Sequence, residues 1–319
     1  MYLNTFTSGL DPLDMTELEE FASLLKSASE LGIPHSPDVR YVSVNTIVRH
    51  QRFHFLEWGD PSNPTVLLLH GGNQSAHSWD LVSLHLSDRY HVLALDQRGH
   101  GDSEWNRGAD YSVGAMAEDA EAFLEDRGVA NPIIFGHSMG GMVTLALSSR
   151  RPELPKAVAI VDVGPELSER GTRMIGDFVQ RNVEFDDLEE FLGRVDKYDP
   201  YRSRAHIERT VKYNLLRRAD GRYVSKVDRR RYHTGGHEGR VRRLGAPSYE
   251  DIGRMDFPVL VVRGGESNVL EPEAAERFVA ALPKGQLVTV PSCGHNVHSQ
   301  NTPGFLQAIA PFLDEVTGA

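Results

Sequence analysis

Gly136-His137-Ser138-Met139-Gly140 stands between an apolar run, Ile133-Ile134-Phe135, and the segment Gly141-Met142-Val143-Thr144-Leu145-Ala146-Leu147. Strand, G-x-S-x-G and helix in that order form a tight turn that lifts a serine hydroxyl to the carboxyl edge of a sheet. The turn needs glycine on both sides, and Gly141 lets the following helix pack closely. A helix N-terminus behind the serine favours negative charge developing there. A serine hydroxyl attacks a carbonyl only when a base takes its proton. His295, in Val290-Pro291-Ser292-Cys293-Gly294-His295 after the last apolar run, is the histidine whose position suits that task. Attack at a carbonyl also calls for two N–H donors to the oxyanion. Met139, just after the serine, supplies one. Gly72, in His70-Gly71-Gly72-Asn73 at the end of another apolar run, supplies the other, with Asn73 next to it. The plainer alternative for both motifs is a glycine-rich turn beside a buried serine.

Parallel strands and helices must hold these groups. From residue 40 onward the two alternate. VRYVSV and RFHFLEWG read as two early strands. TVLLLHGG, YHVLALDQ, NPIIFGHS, AVAIVDVG, PVLVVRGG and QLVTVPS are short apolar runs ending in polar or glycine residues. Such runs mark parallel strands buried on both faces. The intervening segments carry helical periodicity, as in GAMAEDAEAFLEDRG, where Ala120, Phe123 and Leu124 share a face. The pattern predicts an α/β fold with a mostly parallel, doubly covered sheet. Residues 1–37 read as an N-terminal extension holding a short amphipathic helix through Leu18, Phe21, Leu24 and Leu25. Residues 38–165 and 249–319 form the core. Between them, 166–248 break the alternation and read as an inserted, mainly helical cap over the site, with Asp220-Gly221 as a hairpin turn.

The composition narrows the partners. The chain has 319 residues, an apolar fraction of 40% and a formal net charge of -11. That charge argues against nucleic acid and anionic membrane. No apolar run is long enough to span a bilayer, and the first residues lack the pattern of a secretory signal. The single cysteine, Cys293, excludes an internal disulfide. It is expected to be a buried, inert thiol, and a cytoplasmic location is expected. His70, His100 and His137 lie near strand ends, but no H-E-x-x-H or similar spacing occurs, so neither a metal nor a cofactor is expected. The expected partner is a small-molecule substrate, and the oligomeric state is left open.

Taken together, HGGNQSAHSW, LALDQRGHGDSEW, IIFGHSMGG, IVDVGP and GHNVHS resemble the α/β-hydrolase superfamily, over about 40–165 and 250–319. The resemblance implies an eight-stranded sheet, a cap inserted after the sixth strand and a triad in chain order serine, acid, histidine. It says much less about substrate. The usual acid position, in the loop after PVLVVRGG, is occupied by Ser267, with Asn268 beside it and Glu266 before it. None but Glu266 is a carboxylate. Asp162, at the end of AVAIVD, is the other route: carboxyl ends of successive parallel strands share one edge, and some members of the superfamily carry the acid there. Ser267 then becomes a hydrogen-bond donor to the triad. Asp162, Glu266 and the absence of a working acid all stay open at this point.

The resulting expectation is a serine hydrolase acting on a carboxylic ester or lactone of a small molecule through an acyl-enzyme. Ser138 argues against haloalkane dehalogenases and epoxide hydrolases, whose nucleophile is aspartate. The meta-cleavage C–C hydrolases share the length and cap, but many have asparagine before the serine and tryptophan after the histidine, where this chain has His137 and Asn296. A catalytically silent receptor derived from the fold is a third reading. The run RRADGRYVSKVDRRRYHTGGHEGRVRR is basic; it reads as a solvated face, with a substrate carboxylate as the alternative role for one or two of its arginines.

Overall fold

Arg49 and His50, with φ of 50° and 60°, make the two-residue turn that joins β1 (Tyr41–Val48) to β2 (Gln51–Trp58). Both central residues of such a turn must be left-handed for the strand twist to match. β2 also runs antiparallel to β4 (His91–Leu95), and from there on every pairing is parallel. The remaining strands of the sheet are β3 (Thr65–Leu69), β5 (Ile133–His137), β6 (Ala157–Val161), β10 (Val259–Gly264) and β11 (Gly285–Val290), in spatial order β1-β2-β4-β3-β5-β6-β10-β11. The computed structural model describes residues 12–232 and 247–318. Each of the eight runs read as strands contributes one strand to this sheet.

All residues of β4, β5, β6 and β10 are buried, because helices cover both faces. On one face lie the helices Pro12–Glu30, Asp80–Leu86 and Thr302–Thr317, through Leu24, Leu84 and Phe305. On the other lie Val113–Asp126, Met139–Arg150 and Pro272–Ala280, through Phe123, Val143 and Phe278. The first helix extends the N-terminal expectation: Leu24 is buried, and Phe21 and Leu25 pack against the core. Residues 1–11 lie outside the described residues.

Between β6 and β10 the chain forms helices Glu169–Arg181, Leu188–Tyr198 and Arg204–Val211. Ser168, Asp187 and Ser203 cap their N-termini by accepting from the N–H groups of Gly171, Glu190 and His206. A small antiparallel sheet lies among them, with β9 (Tyr223–Ser225) between β7 (Glu184–Phe185) and β8 (Leu215–Arg217). A mainly helical cap did not anticipate this sheet; its strands are two or three residues long, too short for period-two alternation to show. The turn at Asp220-Gly221 does form, with Gly221 at φ 88°. The segment has its own small core of Phe185, Leu192, Val195 and Ile207. Residues 233–246 of the expected cap lie outside the described residues.

Candidate active site

The turn from β5 into the helix Met139–Arg150 holds Ser138 at φ 49°, ψ -113°. A non-glycine residue in this region is strained by about 1–3 kcal/mol, so its surroundings must impose the geometry. They do so by close backbone packing. A Cβ on Gly136 would stand 2.4 Å from the carbonyl oxygen of Gly140, and one on Gly140 would stand 2.1 Å from that of Leu69. Ser138 N–H donates to Val161 O at 3.0 Å, which ties the turn to the neighbouring strand.

His295 follows β11 in a loop that crosses the same edge. Its Nε2 lies 2.9 Å from Ser138 Oγ, and its Nδ1 lies 2.8 Å from Asp162 Oδ2. A carboxylate accepts only, so Nδ1 carries the proton and Nε2 presents its lone pair to the serine. Asp162 caps the end of β6 and is fully buried. Its backbone is also left-handed, at φ 52°. Three donors compensate the burial of its charge: His295, the Gly264 N–H to Oδ1 at 2.9 Å, and the Ser267 hydroxyl to Oδ2 at 2.5 Å. Ser267 in turn accepts from Val269 N–H at 3.1 Å.

Glu266 is not part of this group. Its backbone N–H donates to Cys293 O, and its exposed carboxylate accepts from the Tyr201 hydroxyl at 2.9 Å. This corrects the alternative that made it the acid. Alternation along the turn after β10 points Ser267 inward and Glu266 and Asn268 outward. Cys293 is buried, and burial pushes its thiol up to about 11.

Gly72, Asn73 and Met139 line the same cavity as Ser138 and His295. Met139 opens its helix, so its N–H has no acceptor within the helix. The cavity holds about 390 Å³ between the sheet edge and the inserted segment. Its walls are largely apolar, with Val163 and Val269 from the core and Leu167, Ile175, Phe178 and Phe191 from the insertion.

Some contributors were not singled out from sequence. His137, weighed from sequence as a strand-end histidine and as the residue before the serine but given no role in positioning the base, donates from Nε2 to His295 O at 2.9 Å and so fixes the backbone behind the ring. Gln74 accepts from Gly71 N–H and donates to Asn296 Oδ1 at 3.1 Å, linking the loop of Gly72 to the loop of His295. Their proximity to the motifs was the available signal; the contacts themselves join distant parts of the chain. His298, three residues after His295 and expected from the sequence to support that loop, packs beneath them, stacked on Trp79 at 3.9 Å, and burial holds its pKa down at about 3. Among the described residues, His54, Asp96 and Asp102 form a cluster with metal-capable atoms. Asp96 is already taken up there by His54, Ala76 N–H and Asp102 N–H.

A sheet of this order, with a strained serine after its fifth strand and a histidine after its last, defines an α/β hydrolase. The family model for the alpha/beta hydrolase fold matches residues 64–302, and the chain belongs to that family. It is 28% identical over 311 residues to the esterase Rv0045c of Mycobacterium tuberculosis, an alignment covering 94% of this chain and 98% of the relative. It is 27% identical to the mouse sn-1-specific diacylglycerol lipase ABHD11, covering 80% of this chain and 82% of the relative. A solved structure of the Mycobacterium tuberculosis esterase superposes with a TM-score of 0.75 at 26% identity, covering 96% of this chain and all (100%) of that one.

Proposed function

We propose that this protein is a serine hydrolase that cleaves a carboxylic ester or lactone of a small molecule through an acyl-enzyme. One observation carries the reading: Ser138 Oγ and Asp162 Oδ2 stand on opposite nitrogens of His295, at 2.9 Å and 2.8 Å. Esterase and lipase relatives support a hydrolase acting at an ester. The buried cysteine and the absence of a helix long and apolar enough to cross a membrane, among the described residues, are compatible with a cytoplasmic setting.

In this mechanism His295 takes the proton of Ser138 as Oγ attacks the carbonyl carbon. Asp162 keeps the ring in the tautomer that leaves Nε2 free and stabilises the imidazolium that forms. The N–H groups of Met139 and Gly72 receive the oxyanion. His295 returns the proton to the departing alkoxide. Water, deprotonated by the same histidine, then releases the acid and restores Ser138. The apolar walls hold the acyl chain.

A fluorophosphonate probe and a 4-nitrophenyl ester panel test the reading. Covalent labelling confined to Ser138, together with ester turnover, is expected. A folded protein that neither labels at Ser138 nor turns over any ester or lactone refutes it.

A further inference from the structure

The second oxyanion donor, the Gly72 N–H, lies on one peptide of the loop after β3, and something must set its direction. In a trans peptide the N–H points opposite to the carbonyl it is joined to, so the direction of Gly71 O fixes that of Gly72 N–H. Gly71 O is held from behind. Fully buried His70 donates to it from Nδ1 at 2.7 Å, and Gln74 N–H donates to it at 3.3 Å. His70 carries its proton on Nδ1 because Nε2 accepts from Gln97 N–H at 3.0 Å. The preceding peptide is held by the Gln74 side chain: Gly71 N–H donates to Gln74 Oε1 at 2.9 Å. Both peptides that meet at Gly71 are therefore pinned. Gly71 itself has no slack, since a Cβ there would stand 2.6 Å from the His137 ring and 3.0 Å from Gln74 Oε1.

The Gln74 carboxamide also reaches out of this loop. With Oε1 committed to Gly71 N–H, its Nε2 donates to Asn296 Oδ1 at 3.1 Å. Asn296 follows His295 directly, and its carbonyl accepts from the N–H groups of Ser299 and Gln300, at 3.0 Å and 2.9 Å. His137 Nδ1 stands 3.2 Å from Gln74 Oε1. Burial keeps that ring neutral, and its proton is on Nε2, which donates to His295 O. Among the described residues, Gly71 is thus the donor to Oε1. One carboxamide joins the peptide that presents Gly72 N–H to the turn that presents His295. In the proposed reaction these two groups must meet a single carbonyl, one at the attacking oxygen and the other at the oxygen that gains charge.

We propose that Gln74 is a positioning residue, whose carboxamide aims the Gly72 N–H at the developing oxyanion and keeps that donor in register with His295. The inference rests on the serine-hydrolase reading and adds a residue that acts through two others. The charge it serves develops only in the transition state, so its effect belongs in kcat rather than in substrate binding.

The test uses two variants of the full chain. Gln74→Met keeps the length of the side chain and removes both hydrogen bonds. Gln74→Asn keeps a carboxamide but falls one methylene short of spanning the two loops, and it serves equally if the first variant does not fold. Each should lower kcat on 4-nitrophenyl butyrate by about 10- to 100-fold, with KM within about threefold. A trifluoromethyl ketone supplies the second readout. Ser138 Oγ adds to its carbonyl carbon, and the carbonyl oxygen becomes the oxyanion. Its affinity should fall in proportion to kcat/KM, while the matching methyl ketone, read as a competitive inhibitor, should bind both variants as it binds the wild type. A folded variant with kcat within about twofold of wild type, a loss confined to KM, or an unchanged affinity for the trifluoromethyl ketone overturns the inference and leaves the hydrolase reading standing. If the wild-type protein turns over no ester, the hydrolase reading fails by itself. Hydrogen exchange at the Gly71 amide then decides the positioning: faster exchange in Gln74→Met supports it, and an unchanged rate overturns it.

Discussion

Every residue of the strands that lead to Ser138 and Asp162 is buried, whereas in the helix Glu169–Arg181 of the insertion only Gly171 is. The core is close-packed apolar matter on both faces of a sheet, and small displacements there cost contacts on every side. The insertion has a core of a few side chains and a surface laced with ion pairs, among them Arg218 and Arg222 with Glu184, Arg204 with Glu189 and Asp196, and Arg194 with Glu190. Exposed pairs of this kind contribute about 0–1 kcal/mol each. The contrast is functional. In the proposed reaction the groups that must stand within hydrogen-bond reach for proton transfer come from the close-packed part, and the insertion contributes Ile175, Phe178 and Phe191 to the cavity wall.

The sharpest break in that division would come from Ser138→Ala. Removing the nucleophile from a unit that works together should lower ester kcat by about 10⁶-fold. The fold should persist, since the turn is held by backbone packing at Gly136 and Gly140 rather than by the hydroxyl. Steady-state kinetics with thermal unfolding checks both. A folded variant with turnover near wild type removes the core from the chemistry.

Asp162→Asn comes next. An amide at this position offers Nδ1 of His295 a donor as readily as an acceptor and cannot stabilise the imidazolium. Such a change costs about 10⁴-fold in kcat. Because Gly264 N–H and Ser267 donate to the same group, circular dichroism and a melting curve must accompany the rate to separate lost chemistry from a lost loop.

Much of this was legible from residue order alone. The central strands β3, β4, β5, β6 and β10 announce themselves because parallel strands buried on both sides are written as unbroken apolar runs. The serine turn does so because its glycines answer to backbone contacts that leave no room for a Cβ. Asp162 could be weighed against Glu266 because consecutive parallel strands end at one edge. Sequence could not decide between them, since that depends on which way each side chain points out of a turn and on Tyr201, far along the chain, being there to receive Glu266. The small sheet of the insertion went unread because strands of two or three residues carry no period.

Acid should expose the difference between the regions in stability. Burial lowers the pKa of His298, in the core, to about 3, and that of His206, where the insertion sits against the core, to about 2. The unfolded chain protonates both near 6.5. Above that pH their contribution to stability is complete. As pH falls below it, only the unfolded chain takes up the protons, so stability is lost, and the loss continues down towards the folded values. The slope approaches about 1.4 kcal/mol per pH unit for each group only well below 6.5, so the pair removes about 2 kcal/mol between pH 6.5 and 5.5. Urea unfolding at the two pH values measures it. His298→Gln should flatten the dependence; an unchanged slope would mean that the histidine is hydrated in the folded protein.

The smallest effects separate the two residues that replace the acid in the loop after β10. Ser267 donates one hydrogen bond to Asp162, which keeps two others when it is lost. Ser267→Ala should therefore cost about 0.5–1.5 kcal/mol, or roughly threefold to tenfold in kcat. Its contact is to the carboxylate oxygen that also holds His295, so the loss should appear in kcat more than in KM. Glu266→Gln removes a charge whose partner is the Tyr201 hydroxyl, in the insertion. That contact is exposed, and an amide oxygen can still accept it, so kcat should stay within about twofold. The two variants sit side by side in sequence and differ only in which region they face. If Glu266→Gln proves the more damaging of the two, the loop is working through its outer side, and the division of labour between core and insertion fails at the point where they meet.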